Sequence, residues 1–343
     1  MKKINTIIWI SDLSIKTGEG ILAKQFLKYF LLRNKKKFIE IKTLERSFIY
    51  KDNNSFKKKK IRNNSFYHKY FGPFYGIYYL WINRDKNIVY INYLPLWNFL
   101  IFFLLPKKTI LGPITGATYD NDINCFNSFI RKYIFPIFFR ISILIIYKKF
   151  KKVIFSTDAL KHYIPKSKYS STLFDFVFSF FYFHFKKKIK KNFDLIFYNR
   201  NHSTKTSIVR NNIINFLSKY YKICVVGDFY DNVHVTNFGF VKKKKINDLL
   251  SKSKAALTSE ENFFSLFVID AINSNLKIIS FNKSFNNTYL KKYFFFIKKN
   301  ENFLIIKKKV KEILSLNFKY DNDFKKKIYT HKKKIDDFIQ SIE

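Results

Sequence analysis

The amino-acid sequence predicts an α/β protein built as two domains, each around a parallel sheet. Three observations carry this reading. Short strand-like apolar runs alternate with helical runs along the chain, the pattern of strand–helix–strand layers. The series is interrupted by the charged run KKKIKKN at 186–192 and then begins afresh. Glycine is scarce, eight residues in 343, and six of them (Gly18, Gly20, Gly112, Gly116, Gly227 and Gly239) sit at strand-to-loop junctions, which is where open α/β sheets hold their ligands. A chain of 343 residues with 47% apolar content can bury two cores of ordinary size.

The elements follow in order. Strands are predicted near 5–10, 38–42, 88–92, 108–112 and 153–156, with helices near 20–33, 95–105, 126–147 and 158–164 between them. The stretch 51–66, rich in Lys and Asn, reads as an exposed loop. After the charged run, strands near 193–198, 222–226, 233–236, 254–258 and 276–281 alternate with helices near 205–218, 246–252 and 263–274. The segment 320–343 is amphipathic and lysine-rich and reads as a helix. The predicted domains are 1–187 and 188–319, with 320–343 as a helical tail packing back toward the first domain.

Two cysteines, Cys125 and Cys224, are too few for a disulfide framework, and Cys224 lies in the apolar run YKICVVG as a buried thiol. The opening MKKINTIIWISD has an apolar stretch of about six residues, a first strand rather than a signal-peptide core. These features predict a reducing, cytoplasmic setting. The apolar runs 93–105 and 133–147 fall short of the roughly 20 residues of a spanning helix. They read first as buried helices and second as a face that docks on a bilayer.

With 65 Lys+Arg against 24 Asp+Glu, the formal charge is +41. Such a surface attracts nucleic acid, anionic lipid or phosphorylated substrates. The lysines are scattered through nearly every turn, as at 35–37, 57–60, 242–245 and 307–309. A nucleic-acid groove would gather them on one element, and no recognised nucleic-acid module is present. The six histidines show no metal-ligand spacing with Cys or acids. The triplet Asp120-Asn121-Asp122 has a metal-binding form but recurs at 321–323 in the tail, so it carries no weight.

Two segments can carry chemistry. In FDLIFYNRNHSTK (193–205) a strand runs into a loop with Arg200 and Lys205, and a helix follows. Two cations beside a helix N-terminus can hold a diphosphate and stabilise it as it departs. In KAALTSEENFFSLFVIDAINSNLKIISF (254–281) an acidic loop with Glu260 and Glu261 separates a strand from a helix. Asp270 lies eight residues beyond Asn262, roughly 12 Å along a helix, a spacing that suits two ends of an extended ligand. Gly18 and Gly20 open the first helix, Gly112 and Gly116 flank a turn, and Gly227 and Gly239 end or follow strands of the second series.

Together these segments resemble the retaining family-4 glycosyltransferases of the GT-B fold (glycosyl transferases group 1), as a divergent member. TSEENFFSLFVIDAINSNLKIIS is similar to the family's Pro-Ser-x-x-Glu-x-Phe-Gly-Leu block followed by Glu-Ala. Ser259, Phe264 and Leu266 match it, Ser265 replaces Gly, and Asp270-Ala271 stands for Glu-Ala. Asn262 takes the place of the first signature Glu, with Glu261 one residue earlier. LIFYNRNHSTK resembles the strand-Gly-Arg…Lys element, with Asn199 where Gly is usual. ISDLSIKTGEGILAKQFL is similar to the N-terminal Gly-rich loop and helix, and LGPITGA to a Gly-Pro-x-Gly-Gly turn. The likeness spans residues 4–285 and is closest in the second half.

The resemblance implies two facing Rossmann-like domains and a nucleotide-diphosphate sugar as co-substrate, with no metal or other cofactor. It implies Arg200 and Lys205 on the diphosphate, Glu261 and Asn262 on the transferred sugar, and Asp270 on the ribose. Gly239 to Val241 would lie near the base, and Phe264, Ser265 and Leu266 would belong to the donor site. Amides of the Gly18–Gly20 loop would lie near the phosphates. The acceptor would be a glycan or lipid-linked molecule, at the cytoplasmic face of a membrane, with peripheral association there. The departures at Asn262 and Asn199 keep open a decayed binding protein of the same fold, and the charge keeps open a basic nucleic-acid-binding protein.

Overall fold

The protein is described from a computed structural model, which covers residues 4–13, 17–34, 37–44, 46–51, 54–60, 65–91, 94–116, 129–182, 190–200, 208–258, 265–281, 293–298 and 300–342. It divides into two compact units: Met1–Gly116 with Tyr133–Ser179 and His331–Glu343, and Ala117–Lys132 with Phe180–Thr330.

The first unit is organised around strands β1 (Thr6–Ile10), β2 (Ile39–Lys42), β3 (Arg46–Lys51), β4 (Asn54–Lys60), β5 (Asn87–Ile91) and β6 (Ile110–Leu111), in the spatial order β4-β3-β2-β1-β5-β6. From β2 through β1 and β5 to β6 the strands run parallel. A parallel strand covered on both faces needs an unbroken apolar run. β1, TIIWI, supplies one and is buried at every position.

β3 and β4 form an antiparallel extension of the sheet. The expectation of a loop over 51–66 is therefore corrected. Residues 57–60 belong to a strand at the sheet edge.

Helix α1 (Gly18–Arg33) follows β1, and α2 (Ser65–Ile82), α3 (Phe99–Leu104) and α4 (Phe135–Lys149) precede β5, β6 and β7 (Val153–Ile154). α2 has no counterpart among the predicted elements, and Pro73 lies inside it. Its seat on β1 depends on Gly76, where a Cβ would stand 2.1 Å from the Trp9 indole Nε1. Ile77 and Leu80 complete the contact with the core.

The apolar runs 93–105 and 133–147 are expected first as buried helices. α3 and α4 instead bury Ile101, Phe102, Phe139, Ile143 and Ile146 on one face only. The helix expected at 158–164 is a single 3-10 turn, Lys161–Tyr163. Two short parallel strands, β7 and β8 (Thr172–Leu173), close this part of the unit.

Among the described residues the second unit has six strands, all parallel: β9 (Phe193–Asn199), β10 (Ile223–Gly227), β11 (Val235–Asn237), β12 (Ser253–Leu257), β13 (Lys277–Ser280) and β14 (Phe294–Phe296), ordered β11-β10-β9-β12-β13-β14. Counted within the unit this is the order 3-2-1-4-5-6 of a Rossmann sheet. Helices α5 (Ile208–Ser218), α6 (Lys243–Ser251), α7 (Leu266–Asn273) and α8 (Phe303–Ser315) connect or flank the strands. β14 and α8 have no counterpart in the sequence reading.

The final helix, α9 (Asn322–Gln340), buries Phe324, Ile328, Ile335 and Ile339. Within the first unit, Asp336 pairs with Arg33 at 3.6 Å and a ring nitrogen of His331 lies 3.1 Å from the Phe174 carbonyl.

Candidate functional site

A sheet of order 3-2-1-4-5-6 reverses its winding between its first and fourth strands, and the crevice beyond their carboxyl ends is where such sheets take ligands. Here those strands are β9 and β12, paired in register from Ser253↔Phe193 to Leu257↔Phe197. Arg200 follows the last residue of β9 and is exposed. On the β12 side the described chain resumes at Ser265, the N-cap of α7, whose hydroxyl accepts from the Val268 N–H at 3.3 Å. Tyr198 and Phe267 bring the two ends together, with ring centroids 6.1 Å apart. Burial raises the Tyr198 pKa; the adjacent Arg200 charge opposes that rise and Asp228 adds to it.

Asn199 occupies the position where the resemblance expects glycine. Its side chain is buried and donates to the carbonyl oxygens of Asp228, at 3.2 Å, and Phe229, at 3.1 Å. The Asp228 N–H in turn donates to the Asn199 carbonyl at 3.0 Å. The amide therefore turns inward and ties β9 to the turn after β10. Gly227 makes this approach possible: its φ is +101°, and a Cβ would fall 2.2 Å from the Asn199 carbonyl oxygen.

The Gly227 N–H donates to the Gly239 carbonyl at 2.9 Å, linking the end of β10 to the loop after β11. Gly239 has φ +65° and open space around it, so it is required for its backbone conformation alone. Val241, two residues on, is half-buried.

Asp270 lies on α7 with its carboxylate buried, and it pairs with Lys243, the first residue of α6. Burial raises the Asp270 pKa, and the Lys243 charge opposes that rise. Tyr182 has its pKa raised by burial and then by the Asp270 charge, with a hydrogen bond to Asn247 acting the other way. The Tyr182 backbone N–H donates to Asn273 Oδ1 at 2.8 Å, and Asn273 Nδ2 donates to the Phe180 carbonyl at 3.2 Å. Sequence reasoning missed Lys243, Tyr182 and Asn247. Lys243 is one of four lysines at 242–245, and nothing in the run marks it; only its place at the start of α6 does.

The second unit thus places Arg200, Gly239, Val241, Ser265 and Leu266 on loops and helix starts that follow β9, β11 and β12, with Asp270 in the body of α7. Lys205, Glu261, Asn262 and Phe264 lie outside the described residues. In the first unit, Gly18 is exposed and begins α1, while Gly20 is buried. The Gly20 N–H donates to the hydroxyl of the N-cap Thr17 at 3.0 Å, so this amide is already satisfied within the helix cap. Glu19 accepts from the Thr115 hydroxyl at 3.2 Å, joining α1 to the loop after β6. Among the described residues no three His, Cys, Asp or Glu side chains gather as metal ligands.

No protein-family model matches the chain, and no curated protein matches it. Solved structures do. HepE from Anabaena, in complex with UDP-glucose, matches at a TM-score of 0.55 and 9% identity, over 99% of this chain and 98% of that one. The UDP-GlcNAc 2-epimerase of Methanocaldococcus jannaschii, in complex with UDP-GlcNAc and UDP, matches at 0.52 and 11%, over 93% and 95%. WaaG, a glycosyltransferase involved in lipopolysaccharide biosynthesis, matches at 0.50 and 12%, over 97% and 95%. The chain spans 65% of the pneumococcal O-GlcNAc transferase GtfA, a weaker match at 0.46. At these identities the likeness establishes the fold, a GT-B arrangement of two Rossmann-like units with parallel sheets.

Proposed function

We propose that the protein is a glycosyltransferase that moves a sugar from a nucleotide-diphosphate donor to a hydroxyl of a glycan or lipid-linked acceptor. One observation carries the reading. The switch point of the second sheet holds a cation, Arg200, beside a serine-capped helix start, with the buried carboxylate of Asp270 farther along that helix. A diphosphate is met by the cation and by helix-terminal amides, and a ribose hydroxyl donates to a carboxylate. HepE and the epimerase, which share the fold, are solved with UDP and a UDP-sugar.

In the proposed reaction the bond between the anomeric carbon and the β-phosphate oxygen breaks. Its electron pair leaves with the nucleoside diphosphate as the acceptor oxygen bonds to carbon and passes its proton to the departing phosphate oxygen. Arg200 and Lys205 stabilise the departing charge, Glu261 and Asn262 hold the sugar, and Asp270 holds the ribose. Gly239 and Val241 line the base. The reaction is proposed as metal-independent and retaining, with 1–187 serving the acceptor and 188–319 the donor. The protein would work in the cytoplasm, against the membrane that carries the acceptor.

The test is a thermal-shift titration with UDP, GDP, ADP and CMP, beside an Arg200→Ala/Lys205→Ala variant. One nucleotide should raise Tm in the parent protein, with about 2.7 kcal/mol of stabilisation at a hundredfold excess over Kd. The variant should stay folded, lose the shift and lose turnover. A folded variant that still turns over, or no shift with any nucleotide in the parent, overturns the reading.

A further inference from the structure

A helix that covers a sheet in a water-soluble protein ordinarily turns a polar face outward. α2 does not. Its outward positions Phe71, Phe74, Tyr75, Tyr78, Trp81 and Ile82 are all exposed, between 39% and 63%. They recur at the spacing of one helical face, and no charged residue occurs from 71 to 82.

The apolar surface continues onto the neighbouring helices. The Trp81 indole donates to the Leu104 carbonyl at 2.7 Å, setting α2 against α3. Phe99 and Phe138 set α3 against α4, with ring centroids 5.5 Å apart. On these helices Leu100, Phe103, Ile137 and Leu144 are exposed, Phe103 and Leu144 at 63%. Scattered apolar residues are normal at a surface, but three adjacent helix faces of them mark an interaction site.

The charge around this face selects the partner. The helices end in exposed cations: Arg84 near the end of α2, Lys107 and Lys108 after α3, and Lys148 and Lys151 at the end of α4. Over 71–116 and 133–152 the only acidic residue is Asp85. Lys149 donates to the Phe102 carbonyl at 3.3 Å, and its pKa is lowered by burial and then by the Lys107 charge, so the cations crowd together. A second copy of this face would repel such a rim, whereas anionic headgroups neutralise it. Tyr and Trp at a face with Lys and Arg at its edge suit the boundary of a bilayer. Among the described residues no helix is long and apolar enough to cross a membrane.

We infer that the outer face of α2, α3 and α4 docks the protein on an anionic bilayer, with the aromatic side chains entering the headgroup boundary and the lysine rim on the lipid phosphates. The inference does not depend on the donor site, and its test contains no nucleotide.

The experiment is co-sedimentation with phosphatidylcholine vesicles, with and without about 30% phosphatidylglycerol, at about 0.1 M salt. The protein should bind the anionic vesicles. A Tyr78→Gln/Phe103→Gln/Leu144→Gln variant should lose at least about tenfold in partitioning. A Lys107→Ser/Lys108→Ser/Lys151→Ser variant should lose the preference for phosphatidylglycerol.

An independent reading uses the unsubstituted protein. Trp81 and Trp97 are 42% and 40% exposed in this unit while Trp9 is fully buried, so vesicle binding should blue-shift tryptophan emission and expose it to quenching by brominated lipid. No binding to anionic vesicles overturns the inference. So does binding that leaves emission unchanged and survives the apolar substitutions. A dimer that these substitutions dissolve, without vesicle binding, assigns the face to a second copy instead.

Discussion

Replacing Gly227 by Ala tests how tightly the candidate site is built. Gly227 ends β10 at φ +101°, and its added Cβ would meet the Asn199 carbonyl oxygen at 2.2 Å and the Asn199 carbonyl carbon at 3.3 Å. Ordinary C···O contacts begin near about 3.3 Å, so one strand end must move by about 1 Å. Neither end is free to do so cheaply. Gly227 donates to Gly239 and Asp228 donates to Asn199, at 2.9 and 3.0 Å.

Positive φ in an L-residue costs about 1–2 kcal/mol, and forcing an atom into a filled space adds about 1–3 kcal/mol. Gly239→Ala is the control, because Gly239 also has positive φ, +65°, but nothing within 4 Å of a Cβ. It should cost only the first contribution. The two variants should therefore differ by about 1–3 kcal/mol.

Urea unfolding followed by far-UV circular dichroism measures this difference. Tryptophan emission would not, since Trp9, Trp81 and Trp97 all lie in the first unit. The shift of Asn199 carries Arg200 with it, so Gly227→Ala should also weaken nucleoside-diphosphate binding by roughly tenfold or more. Equal unfolding midpoints for the two variants, with equal nucleotide affinity, would refute the claim that the contact between Gly227 and Asn199 sets the position of Arg200.

Asp270→Asn should leave stability at neutral pH unchanged or higher, while nucleotide affinity falls about tenfold. The sign follows from burial, which raises the folded pKa of Asp270 above its ordinary value despite Lys243. The stabilisation from this group is full below the ordinary carboxylate range and is lost as pH rises through the raised folded value. The variant should lack that loss in a pH series of urea midpoints; a marked drop in its stability at pH 7 would contradict the assignment. Cys224 is buried, and burial pushes its thiol up to about 12. Iodoacetamide at pH 8 should therefore modify Cys224 only in denaturant, as read by peptide mass spectrometry; labelling in the native protein would show that β10 opens.

Much of the second unit was legible in the sequence. LIFYN, ICVVG, KAAL and KIIS are nearly continuous apolar runs because parallel strands are covered on both faces, and a run of that kind is a local property. The scarce glycines pointed to the same strand ends that the structure brings together, since Gly227 and Gly239 hold backbone angles that other residues avoid. The α/β fold class of this unit could therefore be read from residue types and spacing.

Tertiary structure decided what depends on neighbours distant in sequence. Lys243 and Asp270 are 27 residues apart, and which of four consecutive lysines reaches the carboxylate follows from where α6 begins beside α7. Asn199 looked like a departure from a glycine position, but its side chain folds into the turn after β10, a choice visible only once both strand ends are in place. Lysines 57–60 looked like a loop because charge alone does not distinguish a loop from an edge strand. The same limit applies to the aromatic face of α2 to α4. Apolar periodicity shows that a face avoids water, but only the packed helices show that it stays exposed among the described residues.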